Sequence, residues 1–294
     1  MQSAIGIQSA DTEPLMRKSR IPSFDGRPLN VFHTDARADR ADLVLVLPFG
    51  VRHQIANRLY PVLAADFNVI TWESRFVLDL DADAHGAAIE ADTHARDMAH
   101  VIAQSRTWRP DAPAQVDVVG YCSGAGVAML AAARNARRIR RLALVSGEYM
   151  LPPTLCRQSA FQREVDLLLP AAASSMARAR MLAEKIAAAG RKAPASEFEA
   201  FVSLPFSSAE HLHRYGMNYL AYRGVDFLRV AQEVPQPTLV VAARDDRQVG
   251  VDSAYIVSSR LPGARGVMTV DGDHYELCRG QQAMTSLLSA FFLH

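Results

Sequence analysis

Five residues, Gly120-Tyr121-Cys122-Ser123-Gly124, constrain this chain more than any other stretch. They follow the apolar run Val116-Asp117-Val118-Val119 and lead into Ala125-Gly126-Val127-Ala128-Met129-Leu130-Ala131-Ala132. β-branched residues favour a strand and alanine favours a helix, so Cys122 falls at a strand–turn–helix corner. A side chain that projects from such a corner sits on strained backbone. The residues two before and two after it must be small to clear the strand and helix packed there. Gly120 and Gly124 meet that requirement around Cys122. Ser123 does not meet it, because its own flanking positions are Tyr121 and Ala125. The frame therefore selects a cysteine as nucleophile where serine is the usual choice.

The 294 residues, 49% hydrophobic and 21% charged, suffice for one α/β domain with an insertion. A net charge of +1 gives no argument for nucleic acid or a membrane surface as partner. No apolar run approaches the ~20 residues that span a bilayer. Met1 to Arg20 lacks the apolar core of an export signal and is expected to form a flexible arm, residues 1–20. The three cysteines, Cys122, Cys156 and Cys278, show no paired spacing, which implies a reducing, cytoplasmic setting. Cys156 and Cys278 read as small apolar fillers.

Strand and helix patterns alternate, which implies a mostly parallel sheet with helices on both faces. Two short strands flank the Asp25-Gly26 turn between Arg20 and His33. Further strands are expected at Ala41 to Leu47, Phe67 to Trp72, Gln115 to Val119 and Ile139 to Ser146. Helices are expected at His53 to Ala65, Ala88 to Arg106 and Gly124 to Arg137. The alternation then stops. Ala171 to Ala189, Ser196 to Phe201 and Ser208 to Leu228 read as helices, which makes 151–234 a helical cap between core segments 21–150 and 235–294. Strands resume at Pro237 to Ala243 and Gly266 to Val270, with helices at Asp252 to Arg260 and Gln281 to Leu293.

A nucleophile at the corner needs a base, and the base needs an acid to orient it. His274, in Asp271-Gly272-Asp273-His274 just past the final strand, is the expected base. Asp246 and Asp245 both follow the strand PTLVVAA; Asp246 is preferred because Val249, three residues on, suits a loop anchor, and Asp245 is the alternative. The oxyanion hole calls for two backbone N–H groups. Ser123 supplies one, directly after the nucleophile. The other belongs to the loop Pro48-Phe49-Gly50; proline has no N–H, which leaves Phe49, preferred, or Gly50. The start of a helix and a neighbouring imidazolium both stabilise a thiolate, so a Cys122–His274 ion pair is expected.

Other clusters carry less. Asp79, Asp81, Asp83, His85, Glu90 and His94 match no metal-ligand spacing and read as a solvated loop entering a helix. His211 and His213 do not share a helical face. No metal and no bound cofactor is expected. The basic, aromatic run from His211 to Arg223 reads as cap surface or as a contact for an anionic partner.

An acyl-cysteine is itself a thioester, so exchange with a pantetheine thioester is close to thermoneutral and the acyl group keeps its activation. Cysteine at this corner therefore favours transfer over hydrolysis when water is excluded. Apart from the arm and the cap, the chain resembles the α/β-hydrolase superfamily. Gly-Tyr-Cys-x-Gly is similar to the elbow of polyhydroxyalkanoate synthases, Ile70-Thr71-Trp72 resembles their Ile-Ser-Trp segment and Pro48 their proline after the equivalent strand; their Asp-His pair stands here as Asp246-Arg247. In elbow, triad and length the chain resembles the cysteine-dependent acyltransferases of nonribosomal peptide pathways, of the coronamic acid and syringomycin type. That resemblance implies an acyl or aminoacyl group carried on Cys122, with His274 as base and Asp246 as orienter. It also implies a phosphopantetheine-borne substrate on an acyl or peptidyl carrier protein, or on coenzyme A. A thioesterase or dienelactone-hydrolase-like enzyme, and a non-catalytic binding module, are the alternative readings.

Overall fold

The computed structural model describes residues 15–78, 89–108, 114–189 and 194–294. Eight strands form one sheet: β1 (Arg17–Pro22), β2 (Pro28–His33), β3 (Ala41–Val46), β4 (Phe67–Trp72), β5 (Val116–Tyr121), β6 (Ile139–Val145), β7 (Thr238–Ala243) and β8 (Ala264–Val270). Their order across the sheet is β1-β2-β4-β3-β5-β6-β7-β8. The hairpin β1–β2 joins β4 antiparallel, and every pairing from β4 to β8 is parallel. The central strands are buried on both faces, which is why they read as unbroken apolar runs. On β3, Val44 and Val46 face one core while Leu43 and Leu45 face the other.

Helices α2 (Ala91–Trp108), α3 (Ser123–Arg134) and α9 (Val251–Ser258) pack on the first face. The short α1 (Tyr60–Leu63) and the closing α10 (Gln282–Leu293) cover the second. Between β6 and β7 lie α4 (Ala160–Ser174), α5 (Met176–Ala188), α6 (Glu197–Ser203), α7 (Ala209–Arg223) and α8 (Phe227–Gln232), a helical cap whose α4, α5 and α7 share a small core of their own. At Gly216 of α7 an added Cβ would lie 2.5 Å from the Leu169 carbonyl oxygen, so only glycine permits this approach of α7 to α4.

Several boundaries differ from the sequence expectation, among them the helix expected over Ser208 to Leu228, which is α7 and α8 separated by a turn at 224–226. β1 begins at Arg17, inside the stretch assigned to a flexible arm, because Arg17 to Pro22 pair residue by residue with His33 to Pro28. The helix expected over Ala171 to Ala189 is two helices; Ser175 is extended and its hydroxyl accepts from Arg178 N–H, ending one helix and capping the next. Helix propensity alone registered the composition on both sides and not this cap. The segment His53 to Ala65 is a 3-10 turn, His53–Ala56, followed by α1. α4 begins at Ala160, ahead of the expected region, under a reciprocal cap between Ser159 and Gln162.

Candidate active site

Cys122 leaves β5 with φ 53°, a left-handed conformation for a residue with a side chain, and stands immediately before the first turn of α3. Three hydrogen bonds hold it there. Its N–H donates to the Val145 carbonyl at 3.1 Å, while its carbonyl accepts from Ala125 N–H at 3.0 Å and Glu148 N–H at 3.1 Å. The flanking glycines are sterically required. A Cβ on Gly120 would lie 2.7 Å from Ala125 Cα, and one on Gly124 would lie 2.2 Å from the Val46 carbonyl oxygen. The thiol is the one partly exposed cysteine of the three.

The loops after β7 and β8 bring the other two residues together. His274 Nδ1 and Asp246 Oδ2 are 2.7 Å apart, and both side chains are only 3% exposed. The second carboxylate oxygen of Asp246 accepts from Gln248 N–H at 2.8 Å and Val249 N–H at 2.9 Å, and Val249 is buried as a loop anchor. Burial alone would raise the Asp246 carboxyl; its bonds to His274 and to those two amides outweigh burial and hold it low. Burial alone would also lower His274. The Cys122 charge, the Asp246 hydrogen bond and a hydrogen bond to Cys122 overcome it, and His274 is pushed up to about 10. His274 thus stands between Cys122 and Asp246 as a group that holds its proton well above the ordinary imidazole range. Asp245 is exposed and uses its backbone N–H on the Gly272 carbonyl, so of the two adjacent carboxylates Asp246 is the one on the histidine.

The backbone also separates the two candidate amides of the loop after β3. Gly50 N–H is engaged by the Ser74 hydroxyl at 3.1 Å, which leaves Phe49 N–H in the loop after β3. Ser123 N–H opens α3, where helical amides lack intrahelical partners. Cys122, His274 and Phe49 line one cavity of about 780 Å³. It lies beyond the carboxyl ends of the parallel strands, where open α/β sheets place their ligands. Phe161, Pro205, Phe206 and Tyr215 from the cap make its wall apolar, while exposed Asn57, Arg58 and Glu197 form its rim.

Sequence reading missed the neighbours that brace these residues. Glu148 is buried, accepts from Met150 N–H at 2.9 Å and from the Gln162 side chain at 2.7 Å, and its burial raises its carboxyl despite both bonds. The Ser159 hydroxyl donates to the Gln248 carbonyl at 2.6 Å, and the Gln248 side chain bonds the Tyr275 hydroxyl. The cap is thereby fastened to the acid-bearing loop. A polar triplet directly after an apolar strand, Ser146-Gly147-Glu148, was the available signal.

The remaining clusters fall apart as sites. Asp79, Asp81, Asp83 and His85 lie outside the described residues. His94 pairs through Nε2 with Asn218 of α7 at 2.7 Å, fixing cap to core. His211 Nδ1 lies 3.1 Å from the Ser207 hydroxyl and 3.3 Å from that of Ser208, while His213 donates from Nδ1 to the Ala172 carbonyl at 2.8 Å. Among the described residues, no group of three or more His, Cys, Asp or Glu side chains is arranged to hold a metal ion. Cys156 and Cys278 are buried in the two cores, and burial pushes the Cys278 thiol up to about 12. Among the described residues no helix is long and apolar enough to cross a membrane.

Residues 87–277, which include Cys122, Asp246 and His274, match the sequence model of the alpha/beta hydrolase fold. The chain is 27% identical over 255 residues to an L-allo-isoleucyltransferase from Pseudomonas savastanoi pv. glycinea, covering 86% of each protein. Among solved structures it is similar to an enol-lactonase from Burkholderia xenovorans (TM-score 0.70, 18% identity, 94% of this chain and 100% of the other). It is also similar to an esterase from Exiguobacterium antarcticum (TM-score 0.71, 15% identity, 95% and 100%). At those identities the structural likeness speaks for the fold.

Proposed function

The chain belongs to the α/β-hydrolase fold family, and on that premise we propose that it is an acyl-transfer enzyme that carries its acyl group as a thioester on Cys122. The observation that carries this reading is a cysteine, in place of serine, on the strained corner, lining one cavity with an imidazole that is itself held by Asp246. The donor is an acyl or aminoacyl thioester on the pantetheine arm of a carrier protein or of coenzyme A. Similarity over 86% of the chain to a protein named as an isoleucyltransferase supports an aminoacyl cargo.

In the first half-reaction the Cys122 thiolate attacks the thioester carbonyl carbon, and the C=O π electrons move onto oxygen. The N–H groups of Ser123 and Phe49 stabilise that oxyanion. Collapse breaks the bond to the pantetheine sulfur, which takes the proton held on His274 Nε2. In the second half-reaction an acceptor thiol gives its proton to His274 and attacks the acyl-cysteine, and Cys122 leaves as thiolate. Asp246 holds one tautomer and one ring orientation throughout and stays ionised. Both directions exchange thioester for thioester, so neither is strongly downhill.

Hydrolysis of the same intermediate is the second reading. The exposed rim at Asn57, Arg58 and Glu197 favours it, because water has a path to the acyl group. To separate the two, a carrier protein loaded with a labelled aminoacyl group is mixed with the enzyme and an unloaded carrier, and the label is followed by mass spectrometry. Label on Cys122 that moves to the second carrier supports transfer. Prompt release as free acid supports hydrolysis. A wild-type protein that takes no label from any thioester supports a binding module.

A further inference from the structure

Tyr215 carries a hydroxyl that the fold does not use. It stands on α7, with its ring 5.6 Å from the Phe49 ring and 5.5 Å from the Phe206 ring, centroid to centroid. A Cβ on Gly50 would come within 3.3 Å of its Cδ2. The ring therefore lies across the Phe49–Gly50 backbone, which presents one of the two oxyanion amides. Tyr215 also lines the cavity with Cys122 and His274. Tyr215 is partly exposed on the cavity side, and among the described residues its hydroxyl makes no hydrogen bond to the protein, which leaves it free to meet a ligand. Burial first, then the charges of Cys122, Glu148 and Tyr275, drive the phenol well above its ordinary range, so it remains an O–H donor even beside a thiolate.

Resting on the acyl-cysteine reading above, we propose that the Tyr215 hydroxyl donates a third hydrogen bond to the oxygen of the tetrahedral intermediate at Cys122, supplied by the cap and not by the core. The proton stays on the phenol throughout. The attack, the oxyanion and the collapse are those already described, with one more donor present when charge is greatest. A donor that acts only on the oxyanion lowers the barrier more than it tightens substrate binding. It has no role in reactions of the thiolate that form no oxyanion.

That distinction sets the test. Full-length wild type and Tyr215→Phe are given an aminoacyl N-acetylcysteamine thioester, and acylation of Cys122 is followed by mass spectrometry and by release of the small thiol. Both proteins are separately alkylated with iodoacetamide, which displaces iodide at a saturated carbon and builds no oxyanion. Phenylalanine preserves the ring contacts, and no partner of the hydroxyl is lost, so the melting temperature stays unchanged. The expected result is an acylation rate lower by about 10²-fold, KM within about twofold, and an unchanged alkylation rate. Unchanged acylation, a loss confined to KM, or a parallel loss of alkylation overturns the assignment. If wild type takes no acyl group while alkylation proceeds, the acyl-cysteine reading itself falls, and the role of Tyr215 with it.

Discussion

The Tyr121 hydroxyl donates to the His274 carbonyl at 3.0 Å, and the two rings lie 5.2 Å apart. The residue directly before Cys122 thus fixes the loop that carries His274. Tyr121→Phe keeps the ring and leaves that buried carbonyl unpaired. It is expected to cost about 1–3 kcal/mol of stability and to slow acylation by about tenfold with KM little changed. Urea unfolding and single-turnover acylation check both parts. A variant with wild-type stability and rate would remove this bond from the argument.

Cys122→Ser replaces the sulfur by a hydroxyl oxygen at the same strained position. Carrier-to-carrier transfer is expected to fall by about 10²-fold or more, since an oxygen ester is a less activated carrier. Slow hydrolysis of the trapped ester would be the residual activity. Transfer at the wild-type rate in this variant would contradict a role for the sulfur.

His274 carries the pH dependence. Its folded value is raised, chiefly by the Cys122 charge and the Asp246 bond against the opposing effect of burial, from 6.5 to about 10. Proton binding to the folded state is therefore the tighter. The resulting stability is full below about pH 6.5 and is lost as the pH climbs through about 10. In Cys122→Ala the largest influence raising His274 is gone. NMR of the imidazole should then find it titrating well below the wild-type value, and thermal stability should lose much of its decline at alkaline pH. An imidazole that titrates alike in both proteins would show that no thiolate neighbours it.

Asp246 contributes at the acid end, because its folded value is lowered. That stabilisation is present above the ordinary carboxylate range and disappears as acid protonates it. Asp246→Asn should therefore flatten the acid limb of the melting curve while leaving the fold intact.

Gly124→Ala tests the close approach of α3 to β3. A methyl group 2.2 Å from the Val46 carbonyl oxygen meets backbone, which cannot swing aside as a flexible side chain would. A loss on the order of 3–5 kcal/mol is expected, measured by urea unfolding. Gly26→Ala is a useful contrast: a Cβ there meets nothing within 4 Å, and the cost is confined to its φ of 80°.

The strands were legible because their burial on both faces leaves an apolar run in the sequence, as in Phe67–Trp72, whose limits coincide with β4. The placement of Cys122 at the corner and the pairing of His274 with Asp246 were legible because these residues follow strands in a fixed chain order, and Gly120 and Gly124 mark the corner by the absence of side chains. The break at Ser175 was not legible, since one hydroxyl on one amide decides it against a background of helix formers. Phe49 and Gly50 could not be separated without Ser74, a residue 24 positions from Gly50 that claims the Gly50 amide. Glu148, Gln162 and Tyr215 act through contacts between cap and core, and local periodicity holds no record of which helix face will meet which loop.

Tyr121 and His274 are 153 positions apart along the chain. A ribosome therefore exposes the sulfur well before the imidazole has been synthesised. On the proposed acyl-cysteine reading, thioesters are expected to load the nascent polypeptide only slowly during that interval, because the imidazole assigned to activate the sulfur does not yet exist. On that reading reactivity is expected to switch on when the last strands dock, and the appearance of acyl-labelled protein in a cell-free translation would then time the completion of folding.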